Sequence, residues 1–252
     1  MFKTLSILLI FILNIVVVLL FILIGGVIPL IERKYLSLIQ RRVGPKFVGY
    51  NGRLQFLADA LKLLFKEIIY LIHTNKVLLV IIPVILLNLN IIMVINITWF
   101  GNIYLYNTEF FLFFIFIIES VTNIFLTYTG MLVKNKYTII ASVRLVNGVI
   151  VFEIFLTSVF MLLYLIHNSI SLNPIQDTWL YYPNIITYIL LVPLIIYLIL
   201  INLKKVPFDL IEAETEIIMG YAVEHSGFLA GGLLLIEYLH LFFWSYFLAI
   251  FI

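Results

Sequence analysis

The sequence predicts an all-α, polytopic integral membrane protein with about six transmembrane helices and one interfacial amphipathic helix. Three observations lead there. Hydrophobic residues fill 64% of the 252 positions, charged residues only 11%, and mean hydropathy is +1.21, far from the balance of a soluble domain. Six apolar stretches, near residues 5–31, 77–100, 110–133, 137–166, 184–203 and 228–252, match the ~20 residues a helix needs to cross a bilayer. Lysine and arginine crowd into alternate connections, as the positive-inside rule requires of a multi-pass chain.

The first span, Leu5 to Ile31, is broken only by Asn14 and the Gly25–Gly26 pair. At 1.5 Å per residue it reaches ~40 Å, enough to cross with tilt. A basic loop follows, with Gly44–Pro45, Gly49 and Gly52 marking turns. Inside it, Arg53 to Ile68 is amphipathic. Gln55, Asp59, Lys62 and Lys66 recur at helical spacing, with Leu54, Leu57, Leu61, Leu64 and Ile68 on the other side. This pattern fits a helix lying in the interface, or equally one packed on a partner. Val77 to Phe100 carries Pro83, an expected kink. Phe110 to Val133 carries Glu119, and Tyr137 to Ile166 carries Arg144 and Glu153. Asn184 to Leu203 contains Pro193, and Phe228 to Ile252 carries Glu237 and His240. No internal repeat or soluble domain is visible, so residues 1–252 read as a single membrane domain.

The loop between the first two spans holds nine lysines and arginines, from Arg33 to Lys76. The third–fourth loop has Lys134 and Lys136, the fifth–sixth has Lys204 and Lys205, and the two opposite loops have none. All three basic loops are therefore expected on the negative side of the membrane, with both termini on the positive side. With no cysteine the chain can carry no disulfide, iron–sulfur cluster or Cys-type zinc site. Its four histidines include no pair at the i, i+4 spacing of a helical metal site. No metal or tightly held cofactor is expected, and no nucleic-acid partner; any redox centre must belong to another chain. An apolar run starting at Leu5 leaves no room for an Arg-rich presequence, so synthesis inside the compartment is expected.

Glu119, Glu153 and Glu237 fall near the middles of their spans. A lone ionised carboxylate there costs at least ~2.5 kcal/mol, so each must be neutral, paired or beside water. Arg144 lies nine residues before Glu153, on the opposite helix face, and cannot neutralise it within that helix. His240, one turn from Glu237, suits a proton relay or a packed histidine. The densest chemistry is PFDLIEAETEIIMGYAVEHSG, from Pro207 to Gly227, which packs Asp209, Glu212, Glu214, Glu216 and Glu224 into the connection at 204–227. Asp209 with Glu212 resembles a capping box for a helix starting at Leu210, with Gly220 as its stop. On such a helix Glu212 and Glu216 share a face while Glu214 points elsewhere. The run is either a solvated loop helix or the lining of a wet cavity.

This run resembles the loop between the fifth and sixth helices of the quinone-chamber membrane subunit of respiratory complex I, the family of NADH:ubiquinone oxidoreductase chain 1. A second stretch, IERKYLSLIQRRVGPKFVGYNGRLQFLADALKLLFKE from Ile31 to Glu67, is similar to that family's other signature. The resemblance implies a membrane subunit of a proton-pumping NADH:ubiquinone reductase, with ubiquinone as substrate and no NADH site of its own. It implies that Arg33, Arg42, Asp59, Phe208 and Asp209 border the quinone chamber. Glu212, Glu214, Glu216 and Glu224 would take up the electrostatic change of quinone reduction and pass it to Glu153 and Glu237. Implied partners are the hydrophilic quinone-site and iron–sulfur subunits, neighbouring membrane-arm subunits and lipid. The implied location is the mitochondrial inner membrane or, alternatively, a bacterial plasma membrane. Two departures stand out. The family usually carries a glutamate where this chain has Asn202, and a small polar residue near Glu119, which is accordingly read as structural. The family also continues for about two helices beyond Ile252, expected here from a separate polypeptide or replaced by different packing. The family's hydrogenase-linked members use no quinone and are the near alternative. A secondary transporter is disfavoured by the absence of an inverted repeat, and a passive anchor would not need three mid-membrane glutamates.

Overall fold

A computed structural model describes residues 2–70, 74–95, 111–167, 185–205, 207–209 and 220–251. Among these, seven α-helices and two short 3₁₀ turns form the architecture, with no strand. In chain order they are α1 (Phe2–Ile39), a 3₁₀ turn (Tyr50–Gly52), α2 (Gln55–Phe65), α3 (Lys76–Ile95), α4 (Phe111–Leu132), α5 (Lys136–His167), α6 (Ile185–Asn202), a second 3₁₀ turn (Gly220–Ala222) and α7 (Gly227–Phe251). Five helices, α1, α3, α4, α5 and α7, are long and apolar enough to cross a membrane. The remaining expected span, 184–203, coincides with α6, whose side chains are described from Leu191 onward. The polytopic all-α expectation is met.

The helices differ from the sequence reading mainly at α1. Its helix does not stop at Ile31 but continues eight residues to Ile39, because each charged residue of the added turns finds a partner. Glu32 meets Lys205 and Tyr238, Arg33 meets Asp59, and Lys34 donates to the Asn51 carbonyl at 2.6 Å. The helix ends where Arg41 turns left-handed (φ 53°) and the Arg42 N–H donates to the Ser37 carbonyl, a Schellman closure. Lys204 (φ 52°) closes α6 the same way, with the Lys205 N–H donating to Leu200 O. The interfacial helix is shorter than expected, Gln55–Phe65 rather than Arg53–Ile68, since Lys66 is already extended (ψ 134°). α3 runs through Pro83 as one continuous helix.

α7 is the central element, packing against α1, α2, α3 and α6. Aliphatic and aromatic side chains of α1 and α3–α7 make one core around Trp244, Phe243, Phe152 and Leu239, all essentially buried. Polar residues inside the spans turn inward upon their own backbone. Thr122, Thr129 and Ser142 donate to carbonyls three residues back, and Asn90 to one four back, which satisfies hydroxyls and amides where no water competes. The three basic connections gather at one end of the bundle. The Ile69 N–H donates to Ser226 Oγ at 2.8 Å, and Asn135 Nδ2 donates to Glu224 Oε1 at 2.8 Å. Those bonds fasten the first and second basic connections to the third.

Candidate functional site

At the charged end, α2 lies across α1 and α7 and roofs a slot of about 330 Å³, at the small end of ligand-binding cavities. Two glycine pairs hollow it out: Gly25 and Gly26 on α1, Gly231 and Gly232 on α7. A methyl group at Gly25 would stand 3.2 Å from Leu239, and one at Gly231 3.1 Å from Leu63. These two glycines therefore let the helices close up. At Gly232 an added methyl meets nothing within 4 Å, so this glycine keeps the slot open. Leu30, Phe56, Leu63, Leu64 and Leu235 complete an apolar wall.

Polar groups edge the slot. Arg33 Nη1 and Gln55 Nε2 each hold one oxygen of Asp59, both at 3.0 Å. The ion pair is largely exposed, at 60% and 40% for the two side chains. It therefore contributes little stability, under about 1 kcal/mol, but fixes where the Asp59 carboxylate points. The Tyr238 hydroxyl, also lining the slot, donates to Glu32 Oε2 at 3.0 Å. Lys205 lies 3.4 Å from the other Glu32 oxygen and 5.6 Å from the Tyr238 ring centroid. Arg33 and Asp59 thus border the slot together. Arg42 lies in the exposed turn after α1, Phe208 packs edge-on to Tyr197 at 4.8 Å, and Asp209 follows it; none of these three lines the slot.

The acidic connection enters the bundle at Tyr221. Its 3₁₀ turn packs against α4 and α5, Tyr221 is fully buried, and its hydroxyl donates to Glu237 Oε1. Lys204 Nζ sits 4.7 Å from the centre of the Tyr221 ring. Glu224 is held by Asn135, and next to it His225 is buried with neither ring nitrogen hydrogen-bonded in good geometry. Burial pushes this imidazole below the usual histidine value, against the pull of the Thr129 backbone and the Glu224 carboxylate. Glu153 sits half-buried on α5 beside Phe152. Glu212, Glu214 and Glu216, with the expected helix from Leu210, lie outside the described residues.

A second buried constellation went largely unread in the sequence. Glu119 on α4 is fully buried. Its Oε1 accepts from Asn202 Nδ2 of α6 at 2.9 Å, and its Oε2 lies 2.9 Å from His240 Nε2 of α7. Trp244 Nε1 donates to the same His240 nitrogen at 3.0 Å. The structural expectation for Glu119 thus acquires named partners. The signal was the departure itself: an added carboxylate on one helix and an amide on another. Sequence spacing could not show that the two positions touch. Among the described residues no group of three or more His, Cys, Asp or Glu side chains could hold a metal ion.

Residues 11–252 match the family model described as NADH dehydrogenase. The chain is 35% identical over 232 residues to NADH-ubiquinone oxidoreductase chain 1 of Paramecium tetraurelia, covering 92% of this chain and 89% of the relative. It is 34% identical to the chain 1 of Yarrowia lipolytica, covering 78% of this chain and 58% of that longer protein. It is 33% identical to an NADH-quinone oxidoreductase subunit from Helicobacter acinonychis, covering 90% of this chain and 72% of the relative.

Proposed function

Because this chain belongs to the NADH dehydrogenase family of membrane subunits, we propose that it walls the ubiquinone chamber of a proton-pumping NADH:quinone oxidoreductase and begins its proton-coupling path. The observation that carries the reading is the slot under α2. An apolar cavity of about 330 Å³, with Asp59 held in place by Arg33 and Gln55 at its edge, suits an amphiphilic ring on an isoprenoid tail. The amphipathic α2 lies where such a molecule would pass from lipid into protein.

Reduction of the quinone takes two electrons and two protons. The electrons come from a partner's iron–sulfur cluster, since this chain has no cysteine to hold one. Arg42, Phe208 and Asp209 then face the hydrophilic partners rather than the slot. The charge change of the headgroup acts on Glu212, Glu214, Glu216 and Glu224 of the acidic connection. Tyr221 joins that connection to Glu237 through its hydroxyl, and Glu153 continues the path into the membrane arm. The mitochondrial inner membrane is the proposed location, with the three fastened basic connections facing the matrix.

The test is photolabelling of the assembled complex with an azido-ubiquinone analogue. Label on α1, α2 or α7 residues that line the slot, displaced by excess unmodified ubiquinone, is expected. Label confined to other subunits would refute the assignment and favour the quinone-independent branch of the family.

A further inference from the structure

Behind the path just proposed lies a half-open cavity of about 40 Å³ between α3, α4, α6 and α7, with polar groups set among Leu86, Leu126 and Ile236. It has room for about three waters at 10–15 Å³ each. Asn90, Asn123, Asn202, Lys204, Glu237 and His240 line it. The Asn123 amide nitrogen, buried in this wall, has no protein partner among the described residues. An orphan donor on the wall of a cavity of this size, with other polar groups in reach, suits a water ligand. Glu237 and His240, three residues apart on α7, both line it. Among the described residues, Glu119 is linked to the cavity through His240 and Asn202.

The hydrogen bonds around His240 Nε2 are mutually exclusive. This nitrogen has either one proton or one lone pair, yet both Trp244 Nε1–H and Glu119 Oε2 approach it, at 3.0 and 2.9 Å. With a proton between Glu119 and Nε2, on either atom, the lone pair is engaged and the indole N–H has no acceptor there. Without that proton, Nε2 accepts from Trp244, and the Glu119 carboxylate keeps its bond from Asn202. With the Nδ1–H of His240 kept in both, the two arrangements differ by one proton, and the indole bond reports which is present.

We infer that Glu119 and His240 form a proton-accepting pair, loaded from Glu237 through water in the Asn123 cavity, with Trp244 Nε1–H as the group that gives way. The proton leaves a Glu237 oxygen, passes along the water and comes to rest between Glu119 Oε2 and His240 Nε2. The cluster keeps its total charge, and negative charge moves from the pair to Glu237. There the Tyr221 hydroxyl donates to it, and Lys204 lines the same cavity. Asn202, an amide that donates to Glu119, holds the carboxylate in line for this exchange. The inference rests on the proton-coupling reading above, to which it adds an acceptor.

Redox-difference infrared spectroscopy of the assembled complex in native membranes tests it. Quinone reduction is expected to produce a deuterium-sensitive carboxyl band that Glu119→Gln removes. Trp244→Phe keeps a ring against Phe152 and Phe247 and should shift that band by removing the competing donor. Asn123→Leu fills the cavity, and should lower quinone reductase relative to artificial-acceptor NADH oxidation by about tenfold or more. A carboxyl spectrum unchanged by Glu119→Gln, or an unchanged rate ratio in Asn123→Leu, overturns the inference. If the ubiquinone analogue labels the slot but the Glu119 band is absent, the chamber reading stands and this one fails. If the label never reaches the slot, the chamber reading fails whatever Glu119 does.

Discussion

Gly232→Leu offers a direct trial of the slot. A methyl group at this position touches nothing within 4 Å, so the first carbon of the new side chain is accommodated without moving backbone. The remaining carbons project into the cavity of about 330 Å³ and occupy volume that the quinone ring would use. Overpacking of a filled site costs about 1–3 kcal/mol, which at 1.4 kcal/mol per tenfold corresponds to a rise of about 5- to 150-fold in the KM for quinone. The neighbouring Gly231→Ala is the comparison. Its methyl would sit 3.1 Å from the tip of the Leu63 side chain, which can give by a few tenths of an ångström, so it adds one carbon to the slot and should raise the quinone KM less than Gly232→Leu. The assay is NADH:quinone reductase in assembled complex, titrated with a short-chain ubiquinone analogue and normalised to artificial-acceptor NADH oxidation. An assembled Gly232→Leu complex with unchanged quinone KM would show that the slot does not hold substrate.

Tyr221→Phe removes the hydroxyl that donates to Glu237; losing a buried hydrogen bond of this kind costs about 1–3 kcal/mol, and the normalised quinone reductase rate should fall about fivefold or more. Burial holds His225 below the ordinary histidine value of about 6.5, so the unfolded connection binds the proton first. Its contribution to stability is therefore complete above about pH 6.5 and is lost as pH falls from there toward the lowered value. Hydrogen exchange of residues 220–226 in the assembled complex should accelerate over that window, and His225→Gln should flatten the response. Glu216→Gln is expected to slow quinone reduction and pumping together, and Glu153→Gln to impair the coupled reaction while sparing artificial-acceptor oxidation; normal ratios in both would make these groups structural. Lys46 and Glu214 should be labelled from the same side of the membrane, and labelling from opposite sides would refute the orientation.

The spans were legible because a 20-residue apolar run has few alternatives in a bilayer. α4, α5 and α7 begin and end within a residue of the expected limits, and α3 begins within one. The end of α1 was not legible, because Glu32, Arg33 and Lys34 look like loop residues until their partners are known: Lys205 just past α6 and Tyr238 on α7, Asp59 on α2, and Asn51 in the first 3₁₀ turn. The resemblance named Arg33 and Asp59 separately, whereas their ion pair, and Gln55 as the second hand on Asp59, needed geometry. Tyr221 illustrates the same limit. Nothing in YAVEHSG announces that its tyrosine is fully buried and bound to a glutamate sixteen residues away.

The bond from Ile69 to Ser226 bridges 157 positions of the chain, and it has a consequence for biogenesis. A ribosome delivers α1 and α2 to the membrane long before α7 exists. During that interval α2 can rest only on lipid and on α1, with the apolar face meant for Gly231 and Phe228 uncovered. The slot therefore comes into being late in insertion, when α7 slides beneath α2 and Ser226 meets the Ile69 amide. An insertase or assembly factor that shelters α2 during translation would act on the same helix that later roofs the slot.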